Sequence, residues 1–228
     1  MQPTASRPSR PLEILGRHPS AVLLAAQLVV VLAHPALAGS AAGRAVVGVF
    51  QMVVVLTAVW AVRRTTTLRW VVLLLGAPAL VLAVLEAVQP DVDWIVLASA
   101  AFHVPFYFFV SYAMIRYLFH DDQVTVDELF ATGAAFTVVA WGFAYLYAGA
   151  QVLWPGSFVG FNSPDGEVPL DWFELLYLSF TTLTSVGLSD VYPVVNHARS
   201  LVMVEQIAGV FYVALVVARL VGLSARRG

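Results

Sequence analysis

The residues that could do chemistry in this chain are concentrated near its C-terminal end. A short apolar segment, 171–183, runs into the hydroxyl- and glycine-containing stretch 184–190, and a carboxylate, Glu205, follows inside a long apolar run. A helix over 171–183 carries partial negative charge at its C-terminus, which attracts a cation. An intramembrane carboxylate marks a functional site by default. These features together predict a cation site at 184–190 rather than a catalytic centre.

The composition predicts that the elements positioning this site lie in lipid. Of 228 residues, 60% are hydrophobic and 11% are charged, with a mean hydropathy of +0.84. Soluble domains carry about 25% charged residues. The chain has no Cys, which excludes disulfides and thiolate-bound metals. Its net charge of −2 and the lack of a basic run exclude nucleic acid as a partner. We expect membrane lipid as its surroundings and no cofactor.

Apolar stretches of membrane-spanning length predict the fold class. A spanning helix needs about 20 mostly apolar residues. Six stretches qualify: 19–38, 44–62, 68–88, 93–118, 128–150 and 200–222. The segment 171–183 is too short to span and is predicted to be a re-entrant helix. The chain is thus predicted to be an all-α membrane protein with six transmembrane helices and one re-entrant helix that runs into a loop.

Arginine placement predicts the orientation of these spans. In the six-span arrangement ten arginines fall on one side, and only Arg44 and Arg199 fall on the other. The positive-inside rule then places both termini in the cytoplasm, with the protein in the plasma membrane. The first span also resembles a signal peptide, with a small-residue stretch at 36–38. Gln27 and the length of the run favour a retained helix.

A polar stretch at 120–123 divides the chain into two predicted domains. Residues 1–122 form a four-helix peripheral domain whose fourth span has only Arg116, so strong voltage sensing is not expected. Residues 123–228 form the second domain, which comprises a linker, the fifth span, the re-entrant helix with its loop and the last span. Thr125 and Glu128 predict the capped start of the fifth span. In the same way, Asp171 and Glu174 predict a capping box at the start of the re-entrant helix.

Three ionisable side chains lie within or near the first four spans. His34 and His103 suggest a proton relay, since intramembrane histidines often serve one. The nearby Pro35 and Pro105 favour the alternative, in which each histidine binds a carbonyl that the proline leaves free. Glu86 lies near the external end of the third span, where interfacial water can reach it.

The second domain resembles a known family. The run 178–187, Leu-Ser-Phe-Thr-Thr-Leu-Thr-Ser-Val-Gly, is similar to the pore helix and filter of potassium channels, whose signature is Thr-Val-Gly-Tyr-Gly followed by Asp. Tyr192-Pro193, Gly209 and the stretch 217–222 resemble the inner helix of bacterial six-transmembrane members. The resemblance covers 125–222, whereas 1–122 matches only in its number of spans. It implies a homotetramer of four identical subunits around one pore that passes K⁺.

The resemblance also assigns the site residues. The filter comprises Thr184, Ser185, Val186, Gly187, Leu188 and Ser189, and the filter support comprises Asp190, Glu205, Thr181 and Tyr177. Rings of backbone carbonyls replace the water around the ion, and Gly187 reaches the required backbone conformation at little cost. In the family, a hydroxyl at the position of Ser185 completes the innermost ion site.

Two filter positions depart from the family pattern. Leu188 replaces an aromatic residue, although some two-pore-domain potassium channels also carry Leu there. Ser189 replaces the second glycine, and a left-handed conformation at a non-glycine residue costs about 1–2 kcal/mol. Either the outer filter keeps its shape under strain, or it loses its outermost carbonyl ring.

Two residues of the last span have alternative roles. Glu205 is expected to brace the pore helix through Thr181 or Thr182, or else to be solvated at the external interface. Gly209 is predicted to be a gating hinge, or else a point of close helix packing.

The sequence therefore predicts a cation channel, with K⁺ as the expected permeant ion. The alternatives are a non-selective cation channel and a non-conducting membrane scaffold or regulatory subunit. An intramembrane enzyme is not expected, because the chain has neither a His-Glu-x-x-His nor a Gly-x-Ser-x-Gly motif.

Overall fold

The structure is a computed structural model that describes residues 18–37, 69–89, 92–119, 125–161, 163–187 and 190–225, together with positions 43, 46, 53, 54 and 57. Its elements are α1 (Pro19–Leu37), α2 (Arg69–Val88), α3 (Asp93–Leu118), α4 (Val126–Leu153), β1 (Phe158–Val159), α5 (Trp172–Leu183), β2 (Tyr192–Pro193) and α6 (Asn196–Ala225). The predicted second span, 44–62, and the filter residues Leu188 and Ser189 lie outside the described residues.

Four of the described helices are long and apolar enough to cross a membrane: α1, α3, α4 and the Asn196–Arg219 part of α6. They confirm the predicted helices at 19–38, 93–118, 128–150 and 200–222. The predicted span 68–88 is also helical as α2, but its apolar part, Leu73–Val88, is shorter than the others. The chain is therefore a helical membrane protein with four spans of full length among its described residues.

Helix α4 lies at the centre of the fold. It packs against α1, α3, α5 and α6, and its large side chains Trp141, Tyr145 and Tyr147 are fully or almost fully buried. Helix α4 carries apolar residues on all of its faces rather than along one stripe. This distribution is expected of a helix that is enclosed by other helices. The described helices are thus organised around the fifth predicted span.

Helix α1 is fixed along α4 by polar contacts at two levels. The Ser20 hydroxyl donates to a carboxylate oxygen of Asp127 at 3.0 Å. Deeper in the bundle, the Thr137 hydroxyl donates to the side-chain oxygen of Gln27 at 2.5 Å, and both residues are buried. A buried hydrogen bond between two helices is typical of packed membrane helices, and this one fixes α1 against α4.

The start of α4 is capped as the sequence predicts and also holds the end of α6. The Glu128 amide donates to the Thr125 hydroxyl at 3.2 Å, which confirms Thr125 as the N-cap. The Glu128 carboxylate pairs with the Arg219 guanidinium at 3.0 Å. The first turn of α4 therefore links the fifth predicted span to the C-terminal part of the last one.

Candidate functional site

The site begins at the first turn of α5. The Glu174 amide donates to the Asp171 carboxylate at 2.8 Å, and the Asp171 amide donates to the Glu174 carboxylate at 3.0 Å. This confirms the predicted capping box. The helix has 12 residues, which at 1.5 Å per residue gives a length of about 18 Å. It is therefore long enough to reach about half-way through a bilayer core.

Replacement of Asp171 by alanine tests the contribution of this cap. The free energy of unfolding should fall by about 1 kcal/mol, because the Glu174 amide loses its acceptor. The matched control is Asp165→Ala, since Asp165 is exposed in the preceding loop and should change stability by no more than about 0.5 kcal/mol. Chemical unfolding of the purified protein in detergent measures both, and equal losses would contradict the role of Asp171.

The end of α5 is a Schellman motif built on a serine. The Ser185 amide donates to the Thr182 carbonyl at 3.0 Å, and the Val186 amide donates to the Thr181 carbonyl at 3.1 Å. This pattern requires a left-handed residue at Ser185, where φ is 60°. Glycine is the usual residue at such a position, and serine costs about 1–2 kcal/mol there. Backbone strain is therefore present at Ser185, and Ser189, where the sequence predicts strain, lies outside the described residues.

Gly187 adopts the conformation that the sequence analysis expected of it. Its φ is 68°, and its amide donates to the Thr181 carbonyl at 3.0 Å. A Cβ added at Gly187 would meet nothing within 4 Å among the described atoms. Glycine is therefore required for its backbone conformation and not for lack of space.

The backbone of 184–187 has its amides bonded and its carbonyls free. All four amides donate back to carbonyls of α5, at Phe180, Thr181 and Thr182. The carbonyls of 184–187 accept no hydrogen bond from any residue that the structure describes. These four residues are also exposed on the single chain. Each of these carbonyl oxygens is thus available to a ligand that accepts electron density, such as a cation.

A small sheet fixes the chain after the filter. Strand β1 pairs antiparallel with β2, so that Phe158 faces Pro193. The Val194 amide extends the pairing by donating to the Ser157 carbonyl at 2.9 Å. Val191 is buried in the same apolar cluster as Phe158. The described residues 184–187 are therefore held by α5, and the chain from Val191 onwards is held by this sheet, while Asp190 is exposed.

Glu205 is buried behind α5, but with partners different from those predicted. Its carboxylate accepts hydrogen bonds from the hydroxyls of Ser179 and Tyr147. The predicted partner Thr181 instead donates to the Leu178 carbonyl at 2.9 Å. The reason is angular, because residues two positions apart point about 200° from each other on a helix. Glu205 is fully buried, which excludes the alternative of a solvated interfacial carboxylate.

Gly209 lies against the last residue of α5. A Cβ added to Gly209 would be 2.0 Å from the carbonyl oxygen of Leu183. Helix α6 runs without a break from Asn196 to Ala225. The structure thus gives Gly209 the close-packing role, while its role as a gating hinge stays a prediction.

One stripe of α6 is buried and the rest is exposed on the single chain. The buried positions Ala198, Val202, Glu205 and Gly209 follow a four-three-four spacing. The exposed face carries large apolar side chains: Met203, Val204, Ile207, Val210, Phe211, Val213, Leu215, Val217 and Val221. Tyr177 of α5 is also 46% exposed. Extended apolar surfaces of this kind face lipid or another protein chain.

Comparison with known proteins finds one family that resembles the C-terminal part of the chain. Residues 133–224 match the model of the Ion_trans_2 family, which is described as an ion channel. The matched region includes most of α4, all of α5, the filter segment and almost all of α6. No match was found among curated proteins or among solved structures. The C-terminal part of the chain is therefore similar to an ion-channel domain, and this similarity favours a channel over an enzyme.

Proposed function

We propose that this protein is a homotetrameric cation channel of the potassium-channel type, with 184–189 as its filter. The observation that carries the proposal is the state of the backbone at 184–187. The amides there are bonded back to α5, and the carbonyls accept nothing from the described residues. Backbone carbonyls that replace the water shell of a cation form the filter of such channels. K⁺ is the proposed permeant ion.

Each chain supplies one pore hairpin, so a complete ring of carbonyls needs several chains. Four chains around one axis give the ring that a K⁺ filter uses. The exposed apolar face of α6 supports this assembly, since it offers surface for contacts with neighbouring subunits. We propose that the tetramer lies in the plasma membrane with six spans per subunit and both termini in the cytoplasm.

Glu205 is proposed to keep α5 aligned in the conducting state. Its carboxylate joins Ser179 on α5 to Tyr147 on α4, and so three helices meet at one buried polar point. Asp190, Thr181 and Tyr177 are proposed to support the filter, as the family resemblance implies. Thr181 has a specific contribution, since its carbonyl accepts the amides of both Val186 and Gly187.

A liposome flux assay tests the proposed function. Purified wild-type protein should pass K⁺ faster than Na⁺ when each ion is supplied as the only permeant cation. The double variant Leu188→Tyr with Ser189→Gly restores the family pattern and should increase the preference for K⁺. Equal K⁺ and Na⁺ flux in the wild type, shifted towards K⁺ in the double variant, would identify a non-selective channel. No flux from a folded tetramer would instead identify a scaffold or regulatory subunit.

A further inference from the structure

A second polar group of residues lies outside the filter, between α2, α3 and α4. The Ser99 hydroxyl donates to the Glu86 carboxylate at 2.5 Å. The ring nitrogen Nδ1 of His103 is 2.9 Å from the Ser99 carbonyl oxygen and 3.1 Å from the Ser99 hydroxyl oxygen. We refer to Glu86, Ser99 and His103 as the acidic triad. The ion-channel match begins at residue 133 and does not include it.

The hydrogen bonds of the triad run in one direction. A carbonyl oxygen only accepts, so the neutral His103 ring carries its proton on Nδ1 and donates it towards Ser99. Ser99 in turn donates to Glu86, whose carboxylate is the final acceptor. The carbonyl that His103 contacts is not the one that Pro105 leaves free, because a proline frees the carbonyl four residues before it, here that of Ala101. The proline-based explanation of His103 is therefore wrong.

The charge of the triad requires a proton. With Glu86 ionised and His103 neutral, the group carries a net charge of −1 among apolar helices. The two ion pairs that the described residues form, His18 with Asp127 and Arg219 with Glu128, do not involve Glu86. An uncompensated charge in such surroundings is costly. One bound proton, held on Glu86 or on the free nitrogen of His103, makes the group neutral.

An aromatic cluster connects the triad to the pore helix. The His103 ring stacks on the Tyr145 ring, with ring centroids 4.1 Å apart and an interplanar angle of 6°. The centroid of the Tyr145 ring in turn lies 5.7 Å from the ring centroid of Trp172, the first residue of α5. Only the Tyr145 ring therefore separates His103 from the start of the pore helix.

Several polar atoms in this cluster have no hydrogen-bond partner among the described residues. They are His103 Nε2, Tyr107 Oη, Trp141 Nε1 and Trp172 Nε1. Unpaired buried polar atoms are unusual and call for an explanation. Because these atoms are grouped, they can form hydrogen bonds with water that enters when the triad becomes charged. A change of charge at Glu86 is thus expected to disturb the packing that supports Trp172.

We propose that the acidic triad is a proton-binding site, accessible from the external side, that holds the start of α5 in its conducting position while a proton is bound. Glu86 lies in the last turn of α2, at the predicted external end, where a proton enters from water. Within the part of the chain that the structure describes, the titratable side chains that face the site are Glu86 from α2, His103 and Tyr107 from α3, and Tyr145 from α4. Helix α5 contributes Trp172, which does not titrate.

The proposal predicts a specific pH dependence, and this part rests on the proposed channel function. Cation flux should fall as the external pH is raised, because Glu86 then loses its proton and becomes charged. Glu86→Gln keeps the side chain permanently neutral and should hold flux at the low-pH level throughout. The matched control Glu167→Gln changes an exposed loop residue and should retain the wild-type pH dependence.

A second measurement detects the proton without using flux. Infrared difference spectra of the protein in liposomes, recorded at low and high pH, should contain a carboxyl band that disappears in Glu86→Gln but persists in Glu167→Gln. Persistence of every carboxyl band in Glu86→Gln would overturn the proposal, as would an unchanged flux–pH profile in that variant. If the wild type passes no cation at any pH, the proposed channel function fails, and the infrared band alone decides the proton site.

Discussion

Gly209→Ala is expected to destabilise the protein and to abolish most of its cation flux. The new methyl group would lie 2.0 Å from the Leu183 carbonyl oxygen, and that oxygen belongs to the backbone and cannot rotate away. Helix α6 must therefore move away from α5. Overpacking of this kind costs about 1–3 kcal/mol, which exceeds the roughly 1 kcal/mol that alanine gains over glycine in a helix. Flux should fall at least about tenfold, because the displaced contact is at the residue that precedes the filter.

The same substitution at Gly222 is the matched control. Gly222 lies on the same helix, and a Cβ there meets nothing within 4 Å among the described atoms. Gly222→Ala should leave the free energy of unfolding unchanged or raise it by up to about 1 kcal/mol. Unfolding in detergent and liposome flux measure both variants. Wild-type stability with lost flux in Gly209→Ala would favour the hinge role, whereas wild-type values of both would contradict the close contact.

Glu205→Ala is expected to reduce conduction more than it reduces assembly. Without the carboxylate, the hydroxyls of Ser179 and Tyr147 lose an acceptor, and each unpaired buried group costs about 1–3 kcal/mol. In the variant the Ser179 hydroxyl can donate to the Ala140 carbonyl, 2.9 Å away, in place of Glu205, which limits the loss of folding stability. The position of α5 should change most, because Glu205, which lies on α6, joins α5 to α4.

Tetramer yield and liposome flux, measured on the same preparation, separate these two effects. Glu205→Gln keeps one acceptor oxygen and should retain more flux than Glu205→Ala. The exposed Glu167 provides the control, and Glu167→Ala should resemble the wild type in both measurements. Wild-type flux in Glu205→Ala would show that the buried carboxylate does not support the pore helix.

Local patterns in the sequence were sufficient to predict the caps of the helices. Asp171 with Glu174 and Thr125 with Glu128 each form contacts over three residues, and such contacts depend only on the helix that they begin. The long apolar runs were likewise sufficient for the four full-length spans, because the length of a span is set by the thickness of the bilayer. These features need no knowledge of how the helices pack.

Contacts between helices could not be predicted in the same way. Tyr147 and Glu205 are 58 positions apart, and their meeting depends on how α4 and α6 are rotated about their axes. The choice of Ser179 over Thr181 depends on the same rotation. The left-handed Ser185 gave no signal either, because glycine is the usual residue at that point of a Schellman motif. The charged state of the acidic triad likewise depends on three helices together.

Recording from a planar lipid bilayer that contains the purified wild-type protein shows whether the protein conducts cations. Discrete unitary currents are expected, with a reversal potential that follows the K⁺ gradient and is insensitive to the anion. Such currents require a continuous cation pathway through one assembly, which the free carbonyls of 184–187 are proposed to line. A folded tetramer that gives no unitary currents, or currents that follow the anion gradient, would contradict the account.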